Sequence, residues 1–197
     1  ISTLEDFVQK SQTLESDFTY LLMNAAIGIV LAALMAPTMA GFYKINHLAK
    51  QNKEFGVNNL FDYYKSPYFQ PIALSAILAT LYSNIIGLLL IYLNLPLVGS
   101  IMQAFISLLF IFTIPLIIFE KQNAIDAMAN SSKIAVKHPF TIILSLLFAL
   151  IIAMLGLFAF CIGLLFTVGY FYAMNYTLYN EIIPIENKNP IDEIGQE

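Results

Sequence analysis

The chain has 197 residues, of which 59% are hydrophobic and 11% charged, and its formal net charge at pH 7 is −4. A soluble domain carries about 45–50% apolar and about 25% charged residues. The deficit of charge therefore excludes a soluble enzyme, a disordered protein and a nucleic-acid-binding protein. The composition indicates an integral membrane protein.

The residue types present also limit the chemistry. All nine basic residues are Lys, so no guanidinium is present to clamp a phosphate or carboxylate in a bidentate pair. The single cysteine, Cys161, excludes an intrachain disulfide and a thiolate metal cluster. The two histidines, His47 and His138, lack the spacing of a HExxH-type zinc site. The sequence predicts no metal site and no cofactor.

Uncharged stretches in chain order predict five transmembrane helices, because each is long enough to cross a hydrocarbon core of about 30 Å. A polar segment, residues 1–17, precedes them and lacks the pattern of a signal peptide. Pro37 and Gly41 are expected to kink or end the first helix. The last uncharged run, residues 140–179, is too long for one helix and is divided between Gly156 and Gly163. The predicted spans are 18–43, 70–92, 97–119, 140–158 and 162–180.

Two connections, residues 44–66 and 120–138, interleave apolar and charged residues and predict helices that lie in the membrane interface. They hold seven of the nine lysines, whereas the turns at 94–96 and 156–163 hold none. By the positive-inside rule both connections face the cytoplasm. This topology gives a polar extracytoplasmic segment at 1–17, a helical bundle at 18–180 and an acidic cytoplasmic tail at 181–197.

A weak internal repeat relates the two halves of the chain. A proline late in a span, an amphipathic connection and a Lys-x-Pro at the next span occur around Pro37 and Pro67, and again around Pro115 and Pro139. A true repeat predicts one more span before Ile1 and six spans in the full-length protein. The alternative is that prolines and lysines simply gather at membrane boundaries, and both interpretations stay open.

Five segments near the ends of the predicted spans carry a further signal: PTMAGFYK at 37–44, NLFDY at 59–63, PLIIF at 115–119, AIDA at 124–127 and SSK at 131–133. They resemble an uncharacterised bacterial multi-pass membrane protein family allied to the membrane domain of glycerophosphoryl diester phosphodiesterases. The resemblance covers most of residues 21–180 and implies a helical membrane domain. The phosphodiesterase activity of that alliance belongs to a separate soluble barrel domain, so the resemblance implies no such activity here.

Polar residues inside the predicted spans are the first candidates for a site. Asn24, Asn84 and Gln103 are interpreted either as helix–helix hydrogen-bonding groups, which is the favoured interpretation, or as the lining of a polar pore or substrate groove. Lysines at the cytoplasmic boundary are candidates for contact with anionic lipid headgroups. These are Lys44, Lys50, Lys53, Lys121, Lys133 and Lys137.

Catalytic interpretations are weaker. Glu120 and Asp126 form a possible carboxylate pair, and Ser131, Ser132 and Lys133 a possible nucleophile and base. On an interfacial helix, however, solvated charges and helix capping are the better explanations. A membrane-embedded enzyme would require Glu120, Asp126 or His138 to meet in a pocket.

The sequence therefore predicts an all-α integral membrane protein of five transmembrane helices joined by amphipathic interfacial helices. The leading hypothesis is a non-enzymatic, multi-pass protein of a bacterial inner membrane that acts as an accessory or scaffold subunit. Its expected partners are membrane lipids and another membrane protein or a second copy of the chain, and nucleic acid is excluded. The alternative is a lipid or small-solute permease or channel with a groove or an oligomeric pore.

Overall fold

The computed structural model describes residues 18–158 and 162–185. The predicted N-terminal segment, the centre of the turn between Gly156 and Gly163, and most of the acidic tail lie outside the described residues. All regular structure in the described part is helical. It comprises α1 (Phe18–Lys50), a 3-10 helix (Val57–Tyr64), α2 (Phe69–Tyr92), α3 (Pro96–Leu109), α4 (Thr113–Phe119), α5 (Ala124–Lys137), α6 (Pro139–Phe158) and α7 (Ile162–Ile182).

Three helical stretches are long and apolar enough to cross a membrane: Thr19–Lys50, Phe69–Tyr92 and Pro96–Phe119. The predicted all-α class is therefore confirmed. In the described residues the stretches of membrane length number three, against the five predicted. The helices α6 and α7 occupy the fourth and fifth predicted spans, and the described apolar part of α6 is the shorter stretch Pro139–Phe148.

The first helix is longer than predicted, because it passes through Pro37 and Gly41 and ends at Lys50 instead of Tyr43. Proline removes a backbone donor inside a helix and disturbs the preceding turn. Here the Tyr64 hydroxyl lies at that turn, donating to the Leu34 carbonyl at 2.5 Å and lying 2.8 Å from the Thr38 hydroxyl. A side chain from the following connection thus supports the helix where the sequence predicts its end.

The connection after α1 is helical only in part, as predicted. Residues 44–50 continue α1, and only Val57–Tyr64 form a separate 3-10 helix. The Gly56 N–H donates to Asn59 Oδ1 at 2.9 Å where this helix begins. Its backbone packs closely on α1, since a Cβ added to Gly41 would overlap the backbone of Leu60. Phe55, Val57 and Phe61 remain exposed on its outer side.

The third predicted span is interrupted between Leu109 and Thr113. The fully buried hydroxyl of Ser131, on α5, lies in this break. It donates to the Leu109 carbonyl at 2.7 Å and accepts from the Phe112 N–H at 3.1 Å. Helix termini leave backbone groups without partners, and buried ones must be paired. Ser131 supplies that pairing, so its role is structural, and the nucleophile interpretation is not supported.

The buried core lies toward one end of the bundle. We call it the lysine end, because it carries Lys44, Lys50 and Lys121 where α1 and α4 finish. Small residues of α1 there allow aromatic and aliphatic side chains of α4 and α7 to approach closely. The core includes Ala36, Ala40, Tyr43, Ile72, Phe112, Leu116, Ile117, Tyr176 and Tyr179. The opposite end, around the turn at residues 93–95 between α2 and α3, we call the turn end.

A polar groove as the candidate functional site

The α2–α3 hairpin is closely packed near the turn end. Asn94 has a φ of 58° in the turn, a left-handed conformation that asparagine adopts more readily than most residues. Further along the hairpin, Gly87 and Gly99 are both buried. A Cβ added to Gly99 would lie 3.6 Å from the Gly87 carbonyl oxygen. The two glycines therefore let the helices approach backbone to backbone.

The close approach of α2 and α3 places the side chain of Gln103 against the backbone of α2. The Gln103 amide nitrogen lies directly against Gly87, in the space that a Cβ would occupy. Any residue other than glycine at position 87 would displace the amide. The hairpin thus holds the Gln103 side chain against α2.

A groove of about 190 Å³ lies between α1, α2 and α3. It brings together the three intramembrane polar residues selected from the sequence, Asn24, Asn84 and Gln103, and adds Thr80. The remaining lining residues are Leu21, Ala25, Gly28, Leu88 and Ile91. No charged residue lines this groove.

Hydrogen bonding in the groove is sparse. Asn84 Nδ2 donates to the Ala25 carbonyl at 3.5 Å, longer than the usual 2.7–3.2 Å of an N–H···O bond. Within residues 18–158 and 162–185, the side-chain amides of Asn24 and Gln103 make no hydrogen bond to the protein. Amides moved from water into hydrocarbon without a partner lose several kcal/mol. The groove therefore presents donors and acceptors that a ligand can pair.

At the lysine end several polar groups bond to one another, although the buried hydroxyls of Thr113 and Tyr179 have no partner among the described residues. Lys44 forms an ion pair of 2.7 Å with Asp62, and Asn59 Nδ2 donates to the same carboxylate at 2.9 Å. These hydrogen bonds lower the pKa of Asp62 below its ordinary value. The ammonium of Lys44 also lies 5.9 Å from the Tyr63 ring centre. Lys44 thus has a partner within the protein, and its contact with a lipid headgroup stays a prediction.

The other five lysines proposed for headgroup contact are exposed in the structure. Lys50 lies 6.0 Å from the ring centre of Tyr176. Lys121 has a φ of 55° just after α4. Lys53 follows α1, and Lys133 and Lys137 lie on α5. Among the described residues, no contact buries Lys53, Lys121, Lys133 or Lys137.

A histidine cluster escaped the sequence analysis. His47 Nδ1 lies 2.8 Å from the Tyr176 hydroxyl, and Gln51 Nε2 donates to His47 Nε2 at 2.9 Å. With Nε2 accepting, the ring proton is on Nδ1 and is donated to Tyr176. The Phe119 ring packs 5.0 Å from the imidazole. The only local signal was the spacing of four between His47 and Gln51, which places both on one helix face.

The structure does not assemble the catalytic alternatives. Asn123 caps α5 by accepting from the Asp126 N–H at 2.9 Å, and its own amide donates to the Asp126 carboxylate at 2.6 Å. Glu120 and His138 are exposed. In the described part of the chain, no hydrogen bond or ion pair joins these acidic residues to His138, and no group of three His, Cys, Asp or Glu residues has the arrangement of a metal site.

The chain matches no protein-family profile, no curated protein and no solved structure.

Proposed function

We propose that the chain is a non-enzymatic, multi-pass protein of a bacterial inner membrane that serves as an accessory or scaffold subunit. In this proposal α6 and α7 also cross the membrane, which gives five spans. We also propose, from the likeness of its boundary segments, that the chain is related to the family allied with the membrane domain of glycerophosphoryl diester phosphodiesterases. The partner is a membrane protein that presents an apolar transmembrane helix.

The surface of α1 carries this proposal. Only 6% of the most apolar part of α1 is buried, compared with 11% for α2 and 39% for the stretch Pro96–Phe119. The exposed flank combines small residues with large apolar ones, including Ala26, Ile27, Val30 and Leu31. Small residues let helix backbones approach closely in a bilayer, where packing drives helix association. A helix this uncovered has the surface that a partner helix requires.

Purification in a mild detergent from native membranes, followed by mass spectrometry, tests the accessory role. A protein recovered in fixed stoichiometry is expected, and replacing Ile27 by Asn should reduce its recovery. Ile143 of α6, exposed to a similar degree, provides the matched control as Ile143→Asn. Recovery of the chain alone from native membranes would overturn the accessory role.

The proposed orientation places the lysine end in the cytoplasm, where Lys53, Lys121, Lys133 and Lys137 face anionic headgroups, each gaining about 1 kcal/mol. Cysteine labelling tests it in a Cys161→Ser background. An impermeant maleimide should label Asn94→Cys in intact cells and Lys53→Cys only after permeabilisation. The opposite pattern would reverse the orientation.

A lipid or small-solute permease is the second candidate, and the groove favours it. Uncharged polar residues from three helices meet there, as a substrate groove requires. The described groove ends near Thr80, while buried side chains such as Phe112 and Leu116 fill the lysine end. Transport would therefore require the core to open, and uptake by purified protein in vesicles is the assay that tests it.

A further inference from the structure

We infer that the groove between α1, α2 and α3 binds the glycerol region of a neutral lipid that carries hydroxyl and ester groups, such as a diacylglycerol. The inference deepens the permease candidate, of which it needs only the first step, binding. It is independent of any protein partner. The depth of the groove, the absence of charge in its lining and its unpaired hydrogen-bonding groups support the inference.

The groove lies within the hydrocarbon layer. At 1.5 Å per residue, Gln103 is about 10 Å from Pro96 and Asn84 about 12 Å from Tyr92, both measured from the turn end. The 24-residue helix α2 is about 36 Å long, so it exceeds a 30 Å hydrocarbon core by only about 3 Å at each end. Both amides thus lie well below the membrane boundary. A ligand that pairs with them must bring its polar atoms to the same depth.

The lining selects a neutral ligand. It contains two asparagines, one glutamine and one threonine and no cation to neutralise a phosphate. A charged headgroup at this depth without a counter-charge is costly. The amide nitrogens can donate to ester carbonyls, and the amide oxygens can accept from a hydroxyl. A diacylglycerol offers both groups and has no charged headgroup to hold it at the surface.

The size of the groove suits a lipid's polar region better than a helix. The groove, of about 190 Å³, admits a small polar unit but not a helix of about 10 Å diameter. That volume holds a glycerol unit with its ester groups, while the acyl chains would lie along exposed side chains of the flanking helices. Ile85 and Leu89 on α2 are among them. A docked helix pairs its own backbone groups internally, so only its side chains could reach the amides.

Photolabelling tests the inference in nanodiscs of phosphatidylcholine. The probe is a diacylglycerol with a diazirine close to one ester, and labelled peptides are mapped by mass spectrometry. We expect labelling of α1, α2 and α3 peptides around the groove. A phosphatidylcholine with the same diazirine chain should label them several-fold less, because its headgroup holds it nearer the surface.

Two glycines provide a matched pair of variants. A Cβ added to Gly28, in the groove wall, meets no atom within 4 Å, and the same holds for Gly169 on α7. Gly28→Leu should fill the groove and abolish labelling, whereas Gly169→Leu should leave it unchanged. Both substitutions replace glycine in a helix by a better helix former, so neither should harm folding. Gln103→Leu is an independent variant, expected to reduce labelling about fivefold through the loss of one hydrogen-bonding partner.

Three results would overturn the inference. The first is labelling of folded Gly28→Leu protein as strong as that of the wild type, and the second is labelling of the groove by the phosphatidylcholine probe as strong as by the diacylglycerol probe. The third is crosslinking of the groove peptides only to another protein or to a second copy of the chain. Labelling without a co-purified partner would keep the inference and overturn the accessory role, and a stoichiometric partner with an unlabelled groove would do the reverse.

Discussion

The lysine end and the turn end of the same bundle are packed in opposite ways. Both use a buried glycine for a close approach, Gly41 at the lysine end and Gly87 at the turn end. At Gly41 the neighbour is the backbone of Leu60, whereas at Gly87 it is the tip of the Gln103 side chain. Displacing a backbone costs more free energy than rotating a side-chain amide. The close contact at the lysine end is thus rigid, whereas the close contact at the turn end can adjust.

Burial follows the same division. Ala36 is 1% exposed and Tyr179 is fully buried at the lysine end, while Met23 is 58% exposed on the turn-end half of α1. Aromatic rings fill the space beside the small residues of the lysine end. Phe119, for example, packs 5.9 Å from Tyr176 and 6.0 Å from Tyr179, measured between ring centres. At the turn end the space between helices is left open as the groove. The space that a ligand could occupy therefore lies at the turn end, and the packed core lies at the lysine end.

Gly41→Ala should give the largest loss of stability. The new methyl group would overlap the Leu60 backbone and force the 3-10 helix off α1. Overpacking costs about 1–3 kcal/mol, and a backbone neighbour places this substitution near the upper value when it is measured against Gly169→Ala, which has the same gain in helix propensity. The measurement is the free energy of unfolding by SDS titration in mixed micelles. Gly169→Ala, which meets no neighbour, is the control, and equal stability of the two variants would show that the close approach is not rigid.

Ser131→Ala should give the next largest loss. It removes the hydroxyl that pairs the Leu109 carbonyl and the Phe112 N–H in the break between α3 and α4. Buried backbone groups left unpaired cost about 1–3 kcal/mol, so we expect a loss of about 2 kcal/mol in the same titration. Ser132→Ala is the neighbouring control, because among the described residues Ser132 bonds only to the Ala129 carbonyl of its own helix. A Ser131→Ala variant as stable as Ser132→Ala would mean that the break does not depend on Ser131.

The helix boundaries show what the sequence could and could not predict. The bounds of α2 were predicted within one residue, because an uncharged run ends there in an Asn-Leu-Pro turn. The end of α1 was missed because the uncharged run ends before Lys44, whereas the helix continues to Lys50. The break after Leu109 was missed because hydropathy is uninterrupted across it. Ser131, which pairs the backbone groups of the break, lies 22 residues after Leu109, and no local sequence pattern indicates such a contact.

The groove shows the same limit. Asn24, Asn84 and Gln103 stand out in the sequence because uncharged polar residues are few in apolar spans. Their meeting in one groove depends on the crossing of three helices, which residue type alone does not specify. The position of the Gln103 amide depends on a single glycine, Gly87. Sequence analysis thus selected the polar residues and missed the residue that positions one of them.

Gly87→Ala tests the adjustable character of the turn end. The substitution is chemically the same as Gly41→Ala, but it displaces only the Gln103 amide. The gain in helix propensity, about 1 kcal/mol, offsets part of the lost packing. We therefore expect stability to change by less than about 1 kcal/mol while diacylglycerol labelling of the groove changes. A loss as large as that of Gly41→Ala would remove the distinction between the two ends.

The smallest expected effect is the pH dependence of the Lys44–Asp62 pair. Lys44 and Asn59 lower the pKa of Asp62 from its ordinary value of 3.8, so the folded state favours the carboxylate. The stabilisation is therefore fully present above pH 3.8 and is lost as the pH falls through the lowered pKa. The pair is about one-third exposed, so salt should weaken it further.

Amide hydrogen exchange of residues 57–64 measures this effect, expressed as protection factors so that the intrinsic pH dependence of exchange cancels. Protection should fall below pH 3.8 in the wild type, and Asp62→Asn should be less protected already at neutral pH and show no further fall in that range. Glu54→Gln is the control, since Glu54 is exposed and forms no ion pair among the described residues. Because Gly41 and Tyr64 also hold the 3-10 helix on α1, the fall should be partial. Complete loss of protection at low pH would mean that the ion pair, and not the backbone contact at Gly41, fixes this part of the lysine end.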